Sequence, residues 1–268
     1  MVKLFDDTHI KAIADAIRAK NGKQTKYYPS EMAEAIGAIE SVNYDKLVGK
    51  TIEEVSSNLT SVGVYSFYNC AALASANFPK ATEIGDYAFY GTTALKNISF
   101  PLVRDIERYA FRGSGIVDAY FPAVTYAGAS SFAACLSLKT ASFPKLTETA
   151  GSMFSGCYAL ESVDLPKATS TGNYSFEKCY SLKAIILRST TLCTAGTNIL
   201  SNAYHYLGTV NATYNPSGSK DGYIYVPSSL VNTYKTATNW STYATQFRAL
   251  ESYTVDGTIT GALDKSKI

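Results

Sequence analysis

Few side chains in this chain are suited to chemistry. His9 and His205 are the only histidines, and there are five cysteines, Cys70, Cys135, Cys157, Cys179 and Cys193. A histidine relay has little to work with without a second histidine beside the first, and the carboxylates are scattered, with no pair placed by the sequence. No Cys-x-x-Cys pair occurs, so a structural zinc site is not expected. Cys135, Cys157 and Cys179 follow one another at intervals of 22 residues. Such a column permits metal or redox chemistry, or a small apolar residue in a tight turn. Thr92 and Ser114 occupy the same column further up the chain, and neither can do sulfur chemistry, so the second reading is preferred. Phosphate-binding glycine loops, the G-x-S-x-G elbow and H-E-x-x-H are all missing. No catalytic residue, metal site or cofactor is expected.

Composition narrows the function classes further. Of 268 residues 46% are hydrophobic, enough for a core, and 21 are tyrosines. The net charge of +2 lacks the basic footprint of a nucleic-acid binder. No uninterrupted apolar run approaches the ~18 residues of a membrane span. The first twenty residues scatter charges through their apolar positions, so they do not read as a secretory signal. An odd cysteine count argues against a disulfide framework. The expectation is a protein made in a cytoplasm, without a signal peptide.

What must position any functional side chain is a repeat. Phe67, Phe89, Phe111, Phe132, Phe154 and Phe176 recur at gaps of 22, 22, 21, 22 and 22 residues. Leu73, Leu95, Ile116, Leu138, Leu160 and Leu182 follow in a second column, and a third closes most units with Phe-Pro or Leu-Pro, as at Phe78-Pro79 and Leu165-Pro166. A unit this short cannot bury its own apolar residues, whereas stacked copies can. The stretch before each proline alternates, so Ala76 and Phe78 are predicted inward and Ser75 and Asn77 outward. The proline then ends the strand, having no N–H to donate.

The string Ile84-Gly85-Asp86-Tyr87-Ala88-Phe89, followed by Leu95, Ile98 and Phe100-Pro101, resembles the BspA-type leucine-rich repeat, with coverage from about Thr51 to Leu250. The resemblance implies an α/β repeat fold: a leucine-rich-repeat solenoid of short parallel strands in about six 22-residue repeats. It also implies a non-enzymatic binding protein of the kind found on bacterial surfaces. Ala127, Thr149 and Thr171 replace the isoleucine of the first column, which should weaken the apolar spine there.

The ends differ from the middle. Residues 1–42 read as a helical hairpin, with Ile10, Ile13 and Ile17 on one face and Met32, Ile36 and Ile39 on another. It either caps the first coil or docks on another protein. Ile13-Ala14-Asp15-Ala16-Ile17-Arg18, Lys20, Gly22, Pro29 and Met32-Ala33 resemble a short N-terminal module of phage and prophage tail or baseplate proteins, which implies other tail proteins as partners. The solenoid with its caps is assigned to 43–250. Its last coil is stretched to 39 residues by an insertion within Asn198–Asp221. A helical cap should follow Pro227, and 251–268 should form a tail or a small hairpin.

Two places are left for a ligand. The outward strand face carries Ser75, Asn77, Asn97, Ser99, Asp118, Tyr120, Thr140, Ser142, Ser162 and Asp164. These hydroxyls, amides and carboxylates, spaced ~4.8 Å apart from strand to strand, suit sugars or an extended peptide. The insertion supplies Tyr204, His205, Tyr206 and Tyr214, since long loops on rigid scaffolds often carry function. A further column, Tyr65, Tyr87, Tyr109 and Tyr174, is read as rings covering a hydrophobic edge with their hydroxyls in water. Together these readings predict attachment to a host-cell surface glycan or protein. The vehicle is a phage tail or, as the alternative, a bacterial adhesin or interaction module.

Overall fold

In the computed structural model residues 52–203, 207 and 222–250 are described. The hairpin expected at 1–42, the tail at 251–268 and the four insertion residues Tyr204, His205, Tyr206 and Tyr214 lie outside the described residues.

The strands are β1 (Glu54–Ser56), β2 (Ser61–Val62), β3 (Ser75–Asn77), β4 (Glu83–Ile84), β5 (Asn97–Ser99), β6 (Asp105–Ile106), β7 (Asp118–Tyr120), β8 (Tyr126–Ala127), β9 (Thr140–Ser142), β10 (Glu148–Thr149), β11 (Ser162–Asp164), β12 (Ser170–Thr171), β13 (Ala184–Ile186), β14 (Thr194–Ala195), β15 (Tyr223–Val226) and β16 (Phe247–Ala249). From β1 to β14 each coil contributes one three-residue strand to a main face and one two-residue strand to a second face, which is divided into β2-β4-β6-β8 and β10-β12-β14; β15 and β16 add to the main face alone. All pairings are parallel and in register from coil to coil, as in Ala76↔Ile98 and Val163↔Ile185. Parallel stacking follows from the repeat, because identical side chains can meet only when successive coils run the same way.

The core lies between the two faces and is built of ladders. Phe67, Phe89, Phe111 and Phe132 stack at centroid distances of 5.1, 5.1 and 5.2 Å. Phe154 and Phe176 continue the ladder at 5.8 and 5.7 Å. Phe78, Phe100, Phe121 and Phe143 form a second ladder, edge-on to the first. The leucine column is fully buried between them. Thr149 and Thr171 keep the buried isoleucine position, and the Thr149 hydroxyl is satisfied by Ser175 Oγ at 3.1 Å and by the Gly172 N–H at 3.1 Å. The spine is therefore polar there without leaving a donor unpaired.

The main face is not one sheet. Strands β1, β3 and β5 form one sheet, and β7, β9, β11, β13, β15 and β16 form another. In the coils on either side, Phe78 N–H donates to Ser99 O and Phe121 N–H to Ser142 O, while Lys139 N–H donates to Val117 O. Among the described residues no backbone bond joins Lys96–Phe100 to Val117–Tyr120. The cause is a missing residue. Ile116 follows Phe111 by five positions, where the neighbouring coils use six. The shortened corner pulls Gly115 against the preceding coil, so that a Cβ there would stand 2.0 Å from the Thr93 carbonyl oxygen. The phenylalanine ladder runs through the break unbroken.

The C-terminal cap contains less helix than the sequence suggests. Ser228–Leu230 and Ser241–Gln246 are 3-10 turns, and α1 (Val231–Thr236) is a single short α-helix. The chain then returns to the main face as β16, paired with β15. A helix of this length cannot shield a sheet edge, and an added strand can. Trp240 and Tyr234 fix the cap: the indole N–H donates to Cys193 O at 2.7 Å, and the Tyr234 hydroxyl accepts from the Cys193 N–H at 2.8 Å. The long insertion does not disturb the stacking, since Ala184↔Tyr223 and Ile185↔Ile224 remain in register across it.

Candidate functional site

The cysteine column is architectural, and its chemistry is more specific than a small apolar filler. Cys135 Sγ donates to Phe111 O at 3.0 Å, Cys157 to Phe132 O at 3.0 Å and Cys179 to Phe154 O at 3.2 Å. Each thiol satisfies the carbonyl of the ladder phenylalanine one coil earlier. Thr92 does the same locally, donating to Phe89 O at 2.7 Å. The column selects a small donor, which is why Cys, Ser and Thr interchange there. Burial pushes the Cys157 and Cys179 thiols up, and that of Cys193 to about 12. Those three therefore remain thiols at neutral pH, whereas at Cys135 burial is outweighed by hydrogen bonds from Cys157 and Ser114, which lower that thiol within the same closed core. Among the described residues all five cysteines are buried and none is in a disulfide, and no group of three or more His, Cys, Asp and Glu could hold a metal.

The tyrosine column lies at a demanding backbone position. Tyr65, Tyr87 and Tyr109 adopt φ of 59, 57 and 59°, a left-handed conformation that is uncommon for a bulky residue. Their rings stack at 4.8 and 4.8 Å, with Tyr68 and Tyr90 stacked beside them at 5.0 Å and Arg112 over the Tyr109 ring. Stacking supplies what the backbone lacks. It also occupies the ring faces, so this column shows solvent mainly edges and hydroxyls. In the later coils Ser130, Ser152 and Tyr174 take the left-handed position, and the Tyr174 hydroxyl accepts a hydrogen bond from Asn198.

The outward strand face divides at the sheet break. Asn77, Asn97, Ser99, Asp118 and Tyr120 are exposed, and Ser75 and Thr140 are half-buried. Thr140 donates its hydroxyl to the Asp118 carboxylate. Ser142, Ser162 and Asp164, predicted on the same open face, are buried at 5, 0 and 2% exposure. The reason lies in the next strands. Ala184, Ile186 and Tyr225 form an apolar cluster on this outward side, with Tyr223 and Leu250 packed against it. Ser162 pairs in register with Ala184, and Asp164 with Ile186. Asp164 is held by Arg188 in a two-point contact, Nε to Oδ1 and Nη2 to Oδ2, each 3.2 Å. Even so, burial outweighs the guanidinium and holds the Asp164 carboxyl above its usual range. Alternation along a strand predicts outward direction correctly at these positions; it does not predict what covers them.

What stays open is centred on the break. A depression of about 420 Å³ lies there, bounded by Lys96, Asn97, Ser99, Asp118 and Tyr120, with Pro101 and Pro122 at one end. Ile98 reaches into it. Among the inward strand-centre residues of β1 to β13 it alone is only half-buried, whereas Ala76, Ala119 and Ala141 are at 2% exposure or less. The signal in sequence was the single 21-residue gap among gaps of 22.

Comparison with known proteins agrees with this architecture. The sequence matches the model of the BspA type leucine rich repeat region in six copies, over residues 40–158 and 104–216. The chain belongs to that family. No curated protein matches the chain. A leucine rich repeat protein of T. pallidum is similar in structure, with a TM-score of 0.54 and 23% identity over 74% of this chain and 97% of that one. A leucine-rich repeat protein from Bacteroides ovatus shares 22% identity at a TM-score of 0.44, over 65% of this chain. The chain spans 54% of that protein's length. The pneumococcal vaccine antigen PcpA aligns over 75% of this chain and 40% of its own at 14% identity and a TM-score of 0.40. Among the described residues no helix is long and apolar enough to cross a membrane.

Proposed function

We propose that this BspA-type protein is a non-enzymatic attachment module that recognises a cell-surface component through the open, N-terminal part of its main face. The observation that carries this is the division of that face. Polar side chains remain exposed from β3 to β7 around a depression, Thr140 on β9 is half-buried, and the same columns are closed from Ser142 to Ile186. A face kept only for solubility has no need of that asymmetry. Binding of the purified, fluorescently labelled protein to intact bacterial cells tests it. Cell binding that Asn77→Ala together with Asn97→Ala reduces supports the reading, and failure to bind any of a panel of Gram-positive and Gram-negative cells overturns it.

A particle-borne vehicle is supported by the likeness of Ile13–Arg18 and Met32-Ala33 to phage tail modules. The host-cell partner and a tail partner for the N-terminal residues belong to that reading. The adhesin alternative is supported by the repeat family itself. Immunogold labelling of particles induced from the source strain separates them: label at tail tips selects the first, and label on the cell envelope selects the second.

A further inference from the structure

We infer that the opening between β5 and β7 is a subsite for one neutral hexopyranose unit, held by strand-edge backbone groups together with Asn97, Asp118 and Tyr120. This rests on the attachment reading above and names the ligand class of its face.

The argument begins with hydrogen-bond accounting. A parallel sheet normally consumes every backbone N–H and C=O between neighbouring strands. Here two main-face strand edges lie side by side without exchanging bonds, while the other neighbouring strands of that face are paired in register. Backbone groups left this way need partners from outside the sheet. The opening cannot admit a peptide strand, which would require the flanking strands to stand about 9.6 Å apart, twice the normal spacing. The ring ladder fixes the limit: Phe100 and Phe121 lie 6.2 Å apart, against 5.7 and 5.6 Å for the neighbouring pairs. The coils have parted by roughly half an ångström at that end. No group fits between edges so close, so a ligand must meet them from the outward side, where hydroxyls can both donate and accept.

The surroundings fit a sugar ring. The volume of about 420 Å³ falls within the ~300–1,000 Å³ usual for small-molecule sites. Tyr120, 40% exposed, together with Pro101 and Pro122 offers apolar surface to the C–H face of a pyranose. Asn97, Ser99 and the Asp118 carboxylate, steadied by Thr140, offer polar partners to its rim. Lys96 and Asp118 carry opposite charges, so no net charge favours an anionic ligand.

The test is a nitrogen–proton NMR titration of the whole protein with methyl β-N-acetylglucosaminide, methyl α-glucoside and methyl β-galactoside. Saturable, millimolar shifts confined to the amides of Ile98–Phe100 and Val117–Phe121 are expected for at least one of them. Tyr120→Ala should weaken that response about tenfold, the worth of one ring contact. Inserting one alanine after Gly115 restores the 22-residue spacing, and it should close the sheet and abolish the response. If that variant fails to melt cooperatively, Tyr120→Ala decides alone. No saturable shift with any of the three glycosides overturns the inference, as does an undiminished response in Tyr120→Ala. Cell binding that persists without a glycoside response removes the subsite and leaves the attachment function standing. A glycoside response without cell binding does the reverse.

Discussion

The coils before the sheet break and those after it are built from the same unit, yet they present different surfaces. From β1 to β5 the main face is open, and the opposite side carries the stacked tyrosines. From β9 to β16 the outward positions close over Ala184, Ile186 and Tyr225, and the cap seals the end. The inward columns hardly differ between the halves, and the phenylalanine ladder crosses the break with ring distances of 5.1 and 5.2 Å. Continuity across the break therefore resides in the aromatic core together with the β6–β8 pairing of the second face, and the main sheet can be interrupted without loss of the stack. A solenoid of this kind is free to vary its outward residues coil by coil, since each coil contacts only its neighbours.

The sharpest way to break this comparison is to cut the core where the sheet is already cut. Phe111→Ala should cost about 4 kcal/mol. The β6–β8 pairing and turn bonds such as Phe111 N–H to Ser131 O still join the coils across the break, so urea unfolding followed by tryptophan fluorescence (Trp240, in the C-terminal half) and by tyrosine signal should remain one coincident transition at a lower midpoint. Separate transitions would show that the ladder, and not the second-face pairing, couples the halves. Gly115→Ala comes next. Its Cβ would meet the Thr93 backbone, which cannot swing aside, and the loss should be about 3 kcal/mol, read as a lower thermal midpoint. Arg188→Ala removes the partner of a buried carboxylate on the closed face. Its arginine is partly exposed, so about 2 kcal/mol is expected, and Arg188→Ala with Asp164→Asn should recover part of it. The smallest effect concerns Glu107 on the second face. Burial first, then Asp86, Glu83 and Asp105, raise its carboxyl above the usual 4.5, against Arg108. A raised carboxyl is unfavourable when ionised, so stability from this group should rise as pH falls from its folded value towards 4.5. The thermal midpoint of Glu107→Gln should exceed that of the natural chain at pH 7, and the difference should shrink towards pH 4.5.

Much of the architecture was legible in the spacing. Phe67 to Phe176, the leucine column and the strand-ending prolines place the coils and their inward residues correctly, because a 22-residue period admits one stacked solution. Two features escaped. The break was present only as one gap of 21, and a spacing alone does not say whether the slack is taken up in a turn or in the sheet. The closure over Ser142, Ser162 and Asp164 depends on residues distant in sequence, although Ala184 and Ile186 in the same columns were the hint: apolar side chains on a solvent face imply a cover. Candidate residues around Asn97 and Tyr120 were legible by type, while the cavity between them was not.

The donor column of Cys135, Cys157 and Cys179 has a consequence for how this protein meets an oxidising environment. Each sulfur is sealed in the core and already committed to a carbonyl of the coil before it. Oxidants can reach these sulfurs only as far as the stack breathes. Their successive modification would record, coil by coil, which part of the molecule comes apart first, so the protein carries a tally of its own wear along its axis.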